Sequence, residues 1–286
     1  MNPPTNPRAV ALRAGLHRAR LELRHALTSA QELWNLLFFP AVGMFAMFLF
    51  RGVEVPGAAF SLGTHAIPGI LAMNMMFSGM MGLAITLTMD RQDGTLLRAK
   101  ATPNGVIGYL TGRILSRGGL IVAGLLIPLV PAAFLFDGLE PARASTWLTL
   151  AWVLTLGLLA LLSIGAILGS LFTDPQASGI VMVPLTALAA ISGVFYPVSA
   201  FPGWVEQIAQ AFPLYWLGLG MRSALLPDSL AAAEIGGSWR HLETAGMLGL
   251  WAAVGLLLAP RVLRRMARRE SGTDLQARRK KAMQWS

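Results

Sequence analysis

The 286-residue chain has no cysteine, three lysines, four histidines and few charges of any kind. Without cysteine there is no disulfide and no thiolate metal site, although compartment is left open. The lysines, Lys100, Lys280 and Lys281, follow no Gly-x-x-x-x-Gly run, so the chain carries no ATPase phosphate loop of its own. His17, His25, His65 and His241 lack metal-ligand spacing, and no His-Glu-x-x-His helix occurs. No nucleophile-elbow pattern supports a Ser-His-Asp triad. These absences argue against an enzyme, including a membrane-embedded one or a scaffold acting on lipids, which would show a His-Asp-Glu cluster.

What fills the chain is apolar sequence. Hydrophobic residues make up 55% and charged residues 13%, and mean hydropathy is +0.58, against roughly 45–50% apolar residues in soluble domains. The excess falls in runs of about 17–25 residues, the length that crosses a hydrocarbon core of ~30 Å as helix. Six spans are expected: Leu33–Phe50, Ile67–Met89, Ser116–Phe136, Ser145–Leu171, Gly179–Ala200 and Glu243–Pro260. The sequence thus predicts an all-α membrane protein with one membrane domain, 33–260, between an N-terminal segment, 1–32, and a basic tail, 261–286. The long polar and basic stretch before the first run does not fit a cleavable signal peptide, so that run is expected to remain as an anchor.

The net charge of +9 and pI near 11.1 invite comparison with nucleic-acid binders. The distribution of the charge favours a membrane explanation. With both termini cytosolic, 19 of the 23 lysines and arginines fall inside, and only Arg51, Arg143, Arg222 and Arg240 fall outside, as the positive-inside bias requires. Segment 201–227 is apolar, but Pro213 and the group Glu206, Gln207 and Gln210 divide it into halves too short to span. A re-entrant outer segment fits it better than a seventh span, which would place the tail outside.

The centres of the six expected spans contain no Asp, Glu, Lys, Arg or His. Ion-coupled carriers place such groups there, so a secondary carrier is disfavoured and energy for transport must come from another chain. Arg117, just inside the third span, is expected to snorkel to the cytosolic surface. In the N-terminal segment, Leu12, Leu16, Leu23 and Leu27 share one helical face, with Arg13, His17, Arg20 and Arg24 beside it. That pattern predicts an interfacial helix with leucines toward acyl chains and arginines toward phosphates or a partner protein. The tail from Arg261 reads as a short basic extension toward anionic lipid.

Along the second span, Asn74, Ser78 and Met81 continue to Ile85 and Thr88 at helical spacing, among Met73, Met75, Met76, Met80 and Met89. Two readings stand: a packing stripe against neighbouring helices, or a pathway surface where thioethers adapt to varied apolar cargo. Gly165-x-x-x-Gly169 signals close packing within the chain or between protomers. Phe195 and Tyr196, at the outer end of the Pro184-containing fifth span, are either interfacial aromatics or an apolar plug above the pathway.

The polar segment between the second and third spans reads Asp90-Arg91-Gln92-Asp93-Gly94-Thr95-Leu96-Leu97-Arg98-Ala99-Lys100-Ala101-Thr102-Pro103. Asp93-Gly94-Thr95 predicts a turn into a short helix with Thr95 as N-cap, and Leu96, Leu97 and the Arg98 methylenes suit a groove. The segment resembles the cytosolic loop of type-2 ABC exporter permeases, in which an acidic-basic group precedes Gly-Thr-Leu, an Arg and a Thr-Pro. Phe195-Tyr196-Pro197, Phe201-Pro202, Phe212-Pro213 and Arg222 resemble that family's outer re-entrant segment, and the daunorubicin-resistance type of drug-export permease is the nearest likeness. Gln92-Asp93 departs from the Glu-rich pair of many members.

The resemblance implies that loop 90–113 holds a coupling helix docked on a separate ATPase. Asp93, Gly94, Thr95, Leu96, Arg98, Thr102 and Pro103 would make the contact. It further implies two ATPase subunits carrying ATP and Mg, no cofactor on this chain, and a second permease protomer, identical or related. The implied setting is a bacterial plasma membrane, and the cargo an amphipathic drug-like or lipid-like compound, with Asn74, Ser78, Met81, Phe195 and Tyr196 as pathway residues. Polysaccharide and lipid exporters share the same frame.

Overall fold

The computed structural model describes residues 7–50, 52–53, 61–102, 105–136, 138–172 and 179–269. Among them the chain is helical, with no strand. Helix α1 covers Pro7–Thr28 and α2 covers Ala30–Leu49. Ser29 separates the two by accepting a hydrogen bond from the Glu32 amide, the N-cap half of a Ser-x-x-Glu start signal. Helix α3, Leu62–Met76, starts on Ser61, which accepts from the Thr64 amide at 3.2 Å. It runs through a π-helical turn, Phe77–Met81, into α4, Gly82–Gln92. Helices α5, Thr95–Lys100, α6, Gly105–Leu135, and α7, Ala144–Leu171, follow. After α8, Gly179–Ile191, come α9, Gly203–Ala211, α10, Pro213–Leu225, and α11, His241–Arg269.

Five helical stretches are long and apolar enough to cross a membrane: α2, α3 with α4, α6, α7 and α11. Four of the six expected spans differ little from them. The third begins eleven residues earlier than expected, at Gly105 rather than Ser116. Its 31 residues reach about 46 Å at 1.5 Å per residue, beyond a ~30 Å core. The fifth expected span, 179–200, is helical only over the 13 residues of α8, roughly 20 Å of rise. There the chain turns, because Gly193 adopts φ 72°, a left-handed conformation open to glycine at little cost. The backbone of Val194 then lies against Gly69 of α3, so tightly that a Cβ on Gly69 would come within 2.3 Å of the Val194 carbonyl oxygen.

The segment 201–227 divides where the sequence indicates. Phe212 is extended (φ −107°, ψ 151°) and Pro213 takes the first helical position of α10, as the residue before proline and proline itself prefer. Helix α10 is buried on nearly every side by α3, α7 and α11. The Trp216 indole donates to the Gln210 carbonyl at 2.6 Å and fixes α10 to α9.

Two small-residue contacts set the bundle. A Cβ on Gly165 would lie 2.6 Å from the Gly79 carbonyl oxygen, and one on Gly169 2.8 Å from the Ala84 Cα. The Gly-x-x-x-Gly pair therefore seats α7 within the chain, on the π-turn and α4. Helix α1 packs along the first half of α6, and its seat is not the leucine stripe. Gly15, Ala19 and Ala26 are buried and Glu22 half-buried, at i, i+4, i+11 and i+7, facing Gly108, Thr111 and Gly112. Leu12, Leu16 and Leu27 face outward, and Leu23 packs near Gly119. Pro260 lies inside α11, so residues 261–269 continue that helix without a break.

Candidate functional site

The loop between α4 and α6 sits at the strongly basic end of the bundle. Helix α4 ends at Gln92, and the chain reverses through Gly94, whose φ of 80° is left-handed and disfavours any side chain with a Cβ. Gly94 is the N-cap of α5 and Thr95 its first helical residue, not its cap; the Asp93 carboxylate, one residue further out, accepts from the Thr95 amide at 2.8 Å. Thr95 instead accepts from Arg98 Nη2 at 2.9 Å, and Arg98 Nη1 reaches the Asp93 carbonyl. The Thr102 hydroxyl donates to the Ala99 carbonyl. Pro103 lies outside the described residues.

The exposed edge of this turn consists of Asp93, Arg98, Lys100 and Thr102, while Leu97 is half-buried. Leu96 differs from expectation. It is 0% exposed and belongs to the chain's own core, so it pins α5 to the bundle instead of presenting itself to a partner's groove. The alternation of Leu96 inward and Arg98 outward follows from two residues of helical rotation.

Directly behind α5 lies a charged network joining three helices. Asp90, 3% exposed, accepts from the Tyr109 hydroxyl at 2.7 Å, from Arg113 Nε at 2.7 Å and from Arg113 Nη2 at 2.6 Å. Arg113 Nη1 also donates to Glu22 of α1 at 3.0 Å, and Glu22 accepts from Arg18 Nε at 2.8 Å. The Arg18 guanidinium lies 5.5 Å from the Tyr109 ring centre, in cation–π range. Burial pushes the Glu22 carboxyl upward, but the hydrogen bond from Arg18 and the charge of Arg113 outweigh it and hold Glu22 below its ordinary value.

Arg117 does not snorkel as expected. It reaches across to α4, where Nη2 donates to the Gly82 carbonyl at 2.6 Å and to the Thr86 hydroxyl at 3.0 Å. Arg91 donates to the Phe172 carbonyl at the end of α7. A cavity of about 260 Å³ opens beside this network, with Glu22, Glu32, Thr86, Arg113 and Arg117 on its polar side and Ala26, Leu83 and Leu120 on its apolar side. Among the described residues no His, Asp and Glu group could hold a metal.

A model of the ABC-2 family transporter protein matches residues 52–260. The chain belongs to the ABC-2 transporter family. The match runs from just before α3 to Pro260 in α11 and takes in α5 and helices α8 to α10. No curated protein matches the chain. Membership makes this ABC-2 protein a multi-pass membrane permease, a transport subunit that is not itself catalytic, in a family whose permeases partner with an ABC ATPase.

The sequence-derived pathway residues of this permease are not gathered in one place. Asn74 is half-buried and its amide donates to the Gly124 carbonyl of α6 at 3.5 Å. Ser78 is half-buried inside the π-turn, and Met81 is 3% exposed in the core. At least Asn74 and Met81 therefore pack within the protomer. Phe195 and Tyr196 are exposed at the opposite end, on the turn after α8.

That end also holds a charge pair the sequence did not signal. Arg222 of α10 is fully buried. Its Nε and Nη2 donate to the two carboxylate oxygens of Glu234 at 2.5 and 3.2 Å, and Nη1 donates to the Gly193 carbonyl at 2.9 Å. The pair welds α10, the turn after α8 and the 3₁₀ segment Asp228–Ala233 with the residues after it. The available hint was that Arg222 lies on an otherwise apolar helix, where a cation requires a partner. Tyr109 and Glu22 were equally unmarked, since their spacing from Asp90 is set only by the fold.

Proposed function

We propose that this permease exports an amphipathic, drug-like or lipid-like compound, driven by two copies of a separate ATPase that carry ATP and Mg. Two protomers, identical or related, form the translocation unit. Both termini and loop 90–113 face the cytosol of a bacterial cell, and α8 lies on a sixth crossing. The drug-export reading rests on the likeness to daunorubicin-resistance permeases. The cargo path runs between protomers, past Ser78 and beneath Phe195 and Tyr196.

The observation that carries the coupling reading is the build of α5. Its exposed polar edge of Asp93, Arg98 and Thr102 stands on a fully buried Leu96, and the base of the loop joins α1, α4 and α6 through Asp90, Arg113 and Glu22. A push on α5 is therefore delivered to the spans, not absorbed by a loose loop. Co-expression with the ATPase tests it. Arg98→Glu should leave the permease folded and lower both co-purification and transport-stimulated ATP turnover. Unchanged co-purification and turnover would remove this edge from the contact.

A further inference from the structure

Helix α11 presents two stripes with different fates. One, through Leu248, Ala252, Ala259, Leu263 and Met266, is buried to the end of the helix, largely on α7. The outward stripe changes character within a single turn. Leu250, Val254 and Leu257 are exposed and apolar; Arg261, Arg264, Arg265 and Arg268 then continue the same face, all exposed. Residues at i, i+3, i+4 and i+7 share one helical face, so the four guanidiniums form one cluster.

The heads of this cluster lean back toward the apolar half. Arg261 Nη1 donates to the Leu257 carbonyl and Arg264 Nε to the Pro260 carbonyl, one turn nearer the helix start, as helical side chains tilt. Among the described residues none of the four makes an ion pair with a carboxylate. With Leu256, Leu257 and Pro260 they line a concavity of about 640 Å³, open to the outside.

We propose that this stripe is a binding site for an anionic glycerophospholipid, whose phosphate sits among Arg261, Arg264, Arg265 and Arg268 while an acyl chain lies along Leu257, Val254 and Leu250. Charge complementarity selects the occupant. Four clustered cations with no carboxylate partner among the described residues favour an anion, and the change from leucine to arginine within one turn matches the boundary between acyl chain and phosphate. Guanidinium is the side chain best shaped for phosphate oxygens. The site needs only that α11 crosses the membrane, so it stands apart from the coupling reading.

The test is native mass spectrometry of the full-length permease taken from vesicles of phosphatidylcholine mixed with phosphatidylglycerol. The wild type should retain phosphatidylglycerol in preference to phosphatidylcholine, and the double variant Arg261→Gln/Arg264→Gln should lose about fivefold of that preference per arginine. This variant leaves Arg265, Arg268 and the rest of the basic tail to hold the orientation. Arg13→Gln/Arg20→Gln/Arg24→Gln, which removes three cations from α1, should leave the preference intact. Equal loss in both variants would mean general surface charge and would overturn the site. So would unchanged lipid retention with weakened co-purification of the ATPase, which would assign the stripe to a protein contact, or retention of inorganic phosphate alone without lipid.

Discussion

Replacing Asp90 by alanine tests the network that joins the α4–α6 loop to the bundle. The Asp90 side chain is 5% exposed and Arg113 21% exposed, and the carboxylate accepts three hydrogen bonds. Truncation leaves the Tyr109 hydroxyl, on a residue 3% exposed, without its acceptor, at about 1–3 kcal/mol. Breaking a fully buried ion pair costs about 3–5 kcal/mol. Arg113 keeps Glu22 as a second partner and some solvent, so a loss of about 2–3 kcal/mol is expected. Reversible unfolding in mixed micelles, or a shift in thermal midpoint in detergent, reads it. The double variant Asp90→Ala/Arg113→Ala should lose less than the sum of the single changes, by about 0.5–3 kcal/mol. A single-variant loss below ~1 kcal/mol, or strict additivity in the cycle, would show that the network does not bind these helices together.

Further outcomes follow from the same geometry. Gly94→Val forces a β-branched residue into a left-handed turn, at about 1–2 kcal/mol or more, and should lower transport-stimulated ATP turnover without blocking membrane insertion. Leu96→Ala opens space in the core and should cost about 2–5 kcal/mol, a stability effect that an ATPase-groove residue would not produce. Arg222→Ala strands Glu234 and should cost about 3–5 kcal/mol, whereas Arg222→Met/Glu234→Leu should be close to neutral; thermal midpoints separate the two. Glu22 is held below its ordinary value, so its contribution to seating α1 is present above that value and is lost as pH falls through the depressed one. Acid-induced release of α1, followed by labelling of a cysteine at the buried Ala26, should disappear as a pH-dependent step in Glu22→Gln. Ser78→Trp should block export with normal yield if the residue lines the path; reduced folded yield would place it in packing.

The long spans were legible because twenty or so apolar residues have few other uses, and the split at Pro213 was legible because proline constrains its neighbour. The start of α6 was not. Its first eleven residues include Arg113, which reads as a solvated loop charge until Asp90 and Glu22 are brought to it by α4 and α1. The fifth span was overextended because Ser192 to Ala200 looks apolar, while Gly193 and its carbonyl contact with Arg222 end the helix. In α1 the leucines drew attention, yet the smaller face of Gly15, Ala19 and Ala26 makes the contact, since small residues permit closer helix approach. In α5 the direction each residue faces required the position of the helix on the bundle, so Leu96 and Arg98 could not be sorted by sequence.

The central claim is that a separate ATPase docks on the outer edge of α5. The chain has no cysteine, so Arg98→Cys introduces a single reactive thiol at an exposed position. A short bifunctional cross-linker in membranes holding both proteins should join this residue to the ATPase, with a yield that changes when ATP binds. A functional transporter that gives no cross-link from position 98, while a cysteine at Trp204 of α9 behaves the same way, would contradict the account.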